Sequence, residues 1–116
     1  MRCIVFENEK AFRFLIEHGF VYTLRAYNRS TGVVKLKRSK YGEVIGVVKV
    51  ELIGNVYKLN GKYVVKLKEG GIKDLEDFAP YSGFKCTKQW LKVFRQHNKR
   101  PGTINLYRVT LIELYH

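Results

Sequence analysis

The chain has 116 residues, with 22 Lys and Arg against 10 Asp and Glu, 46% hydrophobic residues and a net charge of +12. That size fits one domain, residues 1–116, with a core that needs neither disulfide nor metal, and it leaves no room for two. The basic excess points to a polyanion, nucleic acid first, while no apolar run approaches the roughly eighteen residues of a membrane span. The charged start Arg2 to Glu7 is unlike a signal peptide, so a cytoplasmic protein without membrane contact is expected, with Cys3 and Cys86 reduced.

Cys3 to Phe6 reads as a short strand. Asn8 is placed to cap a helix from Glu9 to His18, which Gly19 stops, with Phe12, Leu15 and Ile16 as its apolar stripe and Glu9, Arg13 and Glu17 spaced for exposed ion pairs. Strands follow at Phe20–Arg25, Val33–Arg38, Glu43–Ile53, Val56–Leu59 and Lys62–Lys68, β-branched or aromatic and separated by glycine-containing turns. Alternation such as Val34 and Leu36 against Lys35 and Lys37 predicts a meander with a core face and a cationic face. Asn60-Gly61 predicts a tight hairpin, because a type I′ turn needs positive φ at both central residues. After Gly70-Gly71 the pattern changes to a short helix at Asp74–Phe78, then a helix at Thr87–His97 with Cys86 packed against Trp90. Thr103–Tyr115 closes the chain as a strand apolar on both faces, which suits the middle of a closed or nearly closed barrel.

The charge is concentrated. From His18 to Lys68 eleven basic residues face only Glu43 and Glu51, and no acid lies between Ala79 and Ile112. Surfaces shaped by solubility alone interleave both signs. The first cluster is Arg29, Lys35, Lys37, Arg38 and Lys40, preceded by Arg25 and flanked by Tyr27 and Tyr41, whose rings are suited to stacking on unpaired bases. The second is Lys88, Lys92, Arg95 and Lys99, aligned along one side of a helix that runs that far, followed by Arg100.

Other chemistries find little support. Cys3, Cys86, His18, His97 and His116 form no CxxC, HxH or HExxH, so no metal is expected. The glycines fit neither phosphate-binding fingerprint, and no cofactor is expected. Among the acids Glu69 alone precedes a glycine loop, as a candidate general base.

Tyr22-Thr23-Leu24-Arg25, after a helix ending in His18-Gly19 and before Gly32 and a basic strand, resembles the ASCH (activating signal cointegrator homology) family of the PUA-like superfamily. Gly46-Val47-Val48-Lys49-Val50, Ser82-Gly83-Phe84 leading to Trp90, and Leu106-Tyr107-Arg108-Val109 follow in matching order over nearly the whole chain. The resemblance implies an α+β fold, a small mixed β-barrel of five or six strands with two or three flanking helices, and a cleft where the Thr23 strand faces the helices. It also implies RNA binding or, in a bacterial branch, hydrolysis of acetylcytidine by a lysine, a threonine and a glutamate. The threonine falls on Thr23 and the motif arginine on Arg25, but the lysine position is Phe20. The glutamate position falls on Glu69-Gly70-Gly71 or, with the better fit, on Ser82-Gly83-Phe84, which lacks a carboxylate.

The expectation is a nucleic-acid-binding module, RNA rather than DNA, with Arg25 in the cleft, Tyr27, Arg29, Lys35, Lys37, Arg38, Lys40 and Tyr41 on one rim, and Lys88, Lys92, Arg95, Lys99 and Arg100 on a second edge. The alternatives are an enzyme acting on RNA or a modified nucleoside through Thr23 with Glu69 or Ser82, and an interaction module docking on an acidic protein in a translation or transcription complex.

Overall fold

The computed structural model describes residues 2–99 and 102–115. Strand β1 (Cys3–Val5) leads into helix α1 (Glu9–His18), followed by β2 (Phe20–Arg25), β3 (Gly32–Lys37), β4 (Val44–Leu59), β5 (Lys62–Leu67) and β6 (Ile72–Asp74). Two 3₁₀ turns (Leu75–Asp77 and Ala79–Tyr81), helix α2 (Thr87–His97) and β7 (Ile104–Leu114) complete the chain. The architecture is α+β with a seven-stranded mixed sheet.

Local chemistry accounts for the element ends. Asn8 Oδ1 accepts from the Ala11 N–H at 3.1 Å, satisfying one of the donors that the first helical turn leaves open. Gly19 takes the left-handed conformation, φ 81°, and sends its N–H to the Leu15 carbonyl. Asn60 and Gly61, at φ 51° and 80°, form the hairpin turn between β4 and β5. At the far end of α2 the Asn98 amide donates to the Phe94 carbonyl at 3.0 Å.

β4 organises the sheet. One edge pairs with β7 from Gly46 to Val56, while the other pairs first with β3 and then, past Gly54, with β5. The expected break at Ile53–Val56 is instead a bend within one strand, with the ladder to β7 slipping between Leu52 and Gly54. A side chain at Gly54 would collide with the Lys66 carbonyl. The helix expected at Asp74–Phe78 is replaced by β6 and the two 3₁₀ turns, because Ile72 and Asp74 lie along the open edge of β5.

β1 pairs in parallel with β3, and β2 pairs only with β7. The sheet therefore curls without closing, and the expected barrel is not formed, since β1 and β2 share no ladder. The core fills the concave side with Ile4, Leu15, Val21, Leu36, Val48, Val50, Val65, Leu106 and Val109, capped by Leu75, Trp90 and Phe94. Behind β2, Phe20 and Tyr22 pack against Tyr81 and Phe78 with ring centroids 5.0–6.4 Å apart. No helix among the described residues is long and apolar enough to cross a membrane.

Candidate functional site

The seam between β1 and β2 is where the fold leaves a pocket of about 250 Å³. Its floor follows from the residue order of two paired strands. Val21 lies beside Val109, Thr23 beside Tyr107, and Arg25 beside Asn105, so the interior row changes from apolar to polar over five residues. Its walls are the end of β1 with the start of α1 (Val5 to Asn8, Ala11), the end of β2 (Thr23 to Ala26) with Arg29, and one flank of α2 with Phe84.

Arg25 is the centre of this pocket. Its guanidinium carbon sits 4.9 Å from the centroid of the Phe6 ring, a cation–π contact. Its Nε is buried and has no hydrogen-bond partner among the described residues, and none of the ion pairs there includes it. Burial first, then the positive charge of Arg29, push it down to about 10, against the opposing pull of Glu7 and Tyr107. Arg25 is thus cationic at neutral pH, with the longer-range pull of Glu7 but no ion pair among the described residues. Arg25 as a whole is half-buried, but a buried, unpaired Nε is costly, and an anion bonded to it would relieve that cost.

The loop after β2 is held over the pocket by polar residues of β7 and the segment before it. The Tyr107 hydroxyl, on a side chain only 1% exposed, accepts from the Arg29 N–H at 2.7 Å. Asn105 donates to the Asn28 side chain at 3.3 Å and accepts from Asn55, and Thr103 donates to the Ala26 carbonyl at 3.1 Å. Arg29 is therefore fixed at the rim by its own main chain. The same bonds leave Tyr27 outside, 64% exposed.

The back wall is Trp90, Val93, Phe94 and His97 of α2, a stripe at helical spacing, with Asn98 just past its end. Gly83 seats this wall. At φ +89° it brings the loop before α2 so close to α1 that a Cβ would lie 2.5 Å from the Lys10 carbonyl. Ser82, fully buried, locks the loop by donating to the Ala79 carbonyl at 2.7 Å and accepting from the Phe84 N–H at 3.1 Å.

Of the residues singled out in the sequence, Thr23, Arg25 and Arg29 come together in the pocket. Glu69 lies exposed in the turn after β5, and neither it nor Ser82 lines the pocket, so Thr23 has neither of its expected hydrolase partners beside it. Arg38 is committed elsewhere: it donates to the Phe6 carbonyl at 3.0 Å and to Glu9 at 2.8 Å, and lies over the Phe12 ring at 4.1 Å. Lys35 and Lys37 stand beside Cys3 and Val5 in the β1–β3 register. Lys40 lies 5.6 Å from the ring centroid of Tyr41, which is 91% exposed. Lys88, Lys92 and Arg95 are exposed on α2, but the helix ends at His97 and Lys99 falls beyond it. Arg100 and His116 lie outside the described residues. Cys86 is exposed at the helix start rather than packed on Trp90, because its extended backbone turns it away from the helical stripe, and no disulfide joins it to Cys3.

Sequence reasoning missed Phe6, Glu7 and His97, which line the pocket from elements far apart in the chain. Only the placement of Phe6-Glu7 just past a strand end, ahead of a helix cap, is a local signal for a rim position. Comparison with family models, curated proteins and solved structures returned no match.

Proposed function

We propose that the chain is an RNA-binding module of the ASCH, PUA-like kind, which draws a phosphate or the polar edge of an unpaired nucleotide into the seam pocket against Arg25. The observation that carries this reading is the Arg25 guanidinium, set in a pocket on an aromatic ring with its Nε unpaired and no ion pair to the Glu7 carboxylate of the same pocket. Phe6, Phe84 and Trp90 give the pocket apolar walls, and Arg29 adds a second cation at its mouth. The size, about 250 Å³, suits one nucleotide rather than a helix of nucleic acid. Lys35, Lys37, Lys40, Tyr27 and Tyr41 supply charge and rings for the flanking chain.

The test is an anisotropy titration with matched single- and double-stranded RNA and DNA at several salt concentrations, with the probe inspected afterwards for cleavage. The expected result is micromolar or tighter binding that favours single-stranded RNA, an intact probe, and a log–log salt slope of about −0.7 per phosphate contact. Absence of binding even at low salt would overturn the reading, and a cleaved probe would replace it with an enzymatic one.

A further inference from the structure

Helix α2 has two occupied flanks. Trp90, Val93, Phe94 and His97 face the seam pocket, while Thr87, Leu91 and Arg95, together with Lys88, face a second hollow of about 390 Å³. The opposite wall of this hollow is the tip of the β4–β5 hairpin, Gly61, Lys62 and Tyr63. Three cations therefore converge from two walls: Lys62, Lys88 and Arg95. Tyr63 lies between Arg95, whose guanidinium carbon is 5.4 Å from the ring centroid and which also donates to the Tyr63 hydroxyl, and Lys58 at 5.7 Å. The Thr87 hydroxyl oxygen is buried without a hydrogen-bond partner among the described residues. Asp74 and Glu76 close the hollow at one end, where Asp74 lies 4.0 Å from Lys62.

We infer that this hollow is a second phosphodiester site, and that one RNA strand held in the seam pocket crosses α2 and enters it. The inference rests on the proposed RNA reading. Charge carries it: the exposed face of α2 presents Lys92 outside both hollows, with Lys88 and Arg95 in the lining of the second, and no acid. Asp74 and Glu76 repel a phosphate at the far end, so the path stops there instead of continuing along β6. A helix is about 10 Å across and stacked nucleotides advance about 3.4 Å each, so crossing it takes about three nucleotides. A trinucleotide fills one site, whereas a twelve-nucleotide strand reaches both and gains from the raised effective concentration.

Anisotropy titrations with single-stranded RNA of three and of twelve nucleotides test this on four proteins: the unaltered chain, Lys62→Glu/Lys88→Glu, Arg25→Met, and Lys66→Glu/Lys73→Glu. The last pair changes net charge equally on exposed residues outside the hollow. The unaltered chain should bind the longer strand at least tenfold more tightly. Lys62→Glu/Lys88→Glu should remove most of that gain and reduce the salt slope by about 1.4, leaving the trinucleotide unchanged. Lys66→Glu/Lys73→Glu should leave the gain in place. Equal loss in both double variants, or equal loss for both strand lengths, would overturn the second site by assigning the effect to net charge. An undiminished length gain in Lys62→Glu/Lys88→Glu would overturn it as well. Failure of the underlying reading has a different signature, namely trinucleotide binding that is absent from the unaltered chain or indifferent to Arg25→Met.

Discussion

Phe6 separates two arginines that a sequence profile would treat alike. On one side Arg38 closes a network: a main-chain carbonyl, a carboxylate and an aromatic face take up its guanidinium, and together they pin the end of β1 to the start of α1. On the other side Arg25 has the Phe6 ring, an unpaired Nε and only the longer-range pull of Glu7. The first arrangement stabilises the fold and the second leaves a charge to be answered by something outside it. The difference teaches that the seam between β1 and β2 has a structural bank and a receptive one.

Four changes would break or sharpen that contrast. The largest effect is expected for Gly83→Ala, which forces a left-handed residue and a collision with the Lys10 carbonyl. It should cost about 2–4 kcal/mol in denaturant unfolding and weaken RNA binding by unseating the α2 wall. Full stability in that variant would show that the wall does not depend on this close approach.

The direct comparison is Arg25→Met against Arg38→Met. The first should lower affinity for a short RNA strand about 10–100-fold while Tm stays level or rises, since it removes a charge that no ion pair among the described residues compensates. The second should cost about 1–2 kcal/mol of stability and change that affinity less than about threefold. Matching losses in both variants would erase the distinction between the banks.

Smaller again is Tyr107→Phe, which deletes the acceptor for the Arg29 N–H. About 1 kcal/mol of stability should be lost, with amide exchange at Arg29 accelerated and RNA affinity lowered a few-fold. Unchanged exchange would show that the loop is held by Asn105 and Thr103 alone.

The smallest effect lies with Glu9. Its hydrogen bond and charge interaction with Arg38 hold its carboxyl below the ordinary value of 4.5. A folded value below the unfolded one means that the pair's contribution is present above the unfolded value and fades as pH falls through the lower, folded one. NMR titration of the Glu9 carboxyl should show this depression, and Arg38→Met should return it toward 4.5. An unshifted Glu9 in the unaltered chain would remove the ion pair from the structural bank.

Elements with a local chemical signal were legible in the sequence. Asn8 and Gly19 bracket α1, and Asn60-Gly61 sets its hairpin, because a cap or a positive φ is a demand on one residue that can be met only there. Gly54 misled, since a glycine that ends a strand and one that admits a neighbouring main chain look the same until the neighbour is known. Barrel closure was beyond reach for a related reason. Whether β1 meets β2 depends on the four strand pairings that link them, through β3, β4 and β7, rather than on either strand. The site divided in the same way: Thr23 and Arg25 were found on a single strand through a resemblance, whereas Phe6, Glu7 and His97 reach the pocket only through tertiary packing.

The pairing of β2 with β7 also places the pocket in time. Arg25 and Asn105 are joined across about 80 residues, the kind of non-local contact that forms late because most of the chain must be ordered before the pairing is rewarded. The loop carrying Arg29 waits on Tyr107 in the same strand. A chain in which β1 to β6 have assembled but β7 has not docked would carry the arginine, the meander and most of the positive charge without a pocket. On the proposed reading, capacity to take a single nucleotide would then require β7 to be docked, whereas the positive charge of the meander is carried by the chain without it.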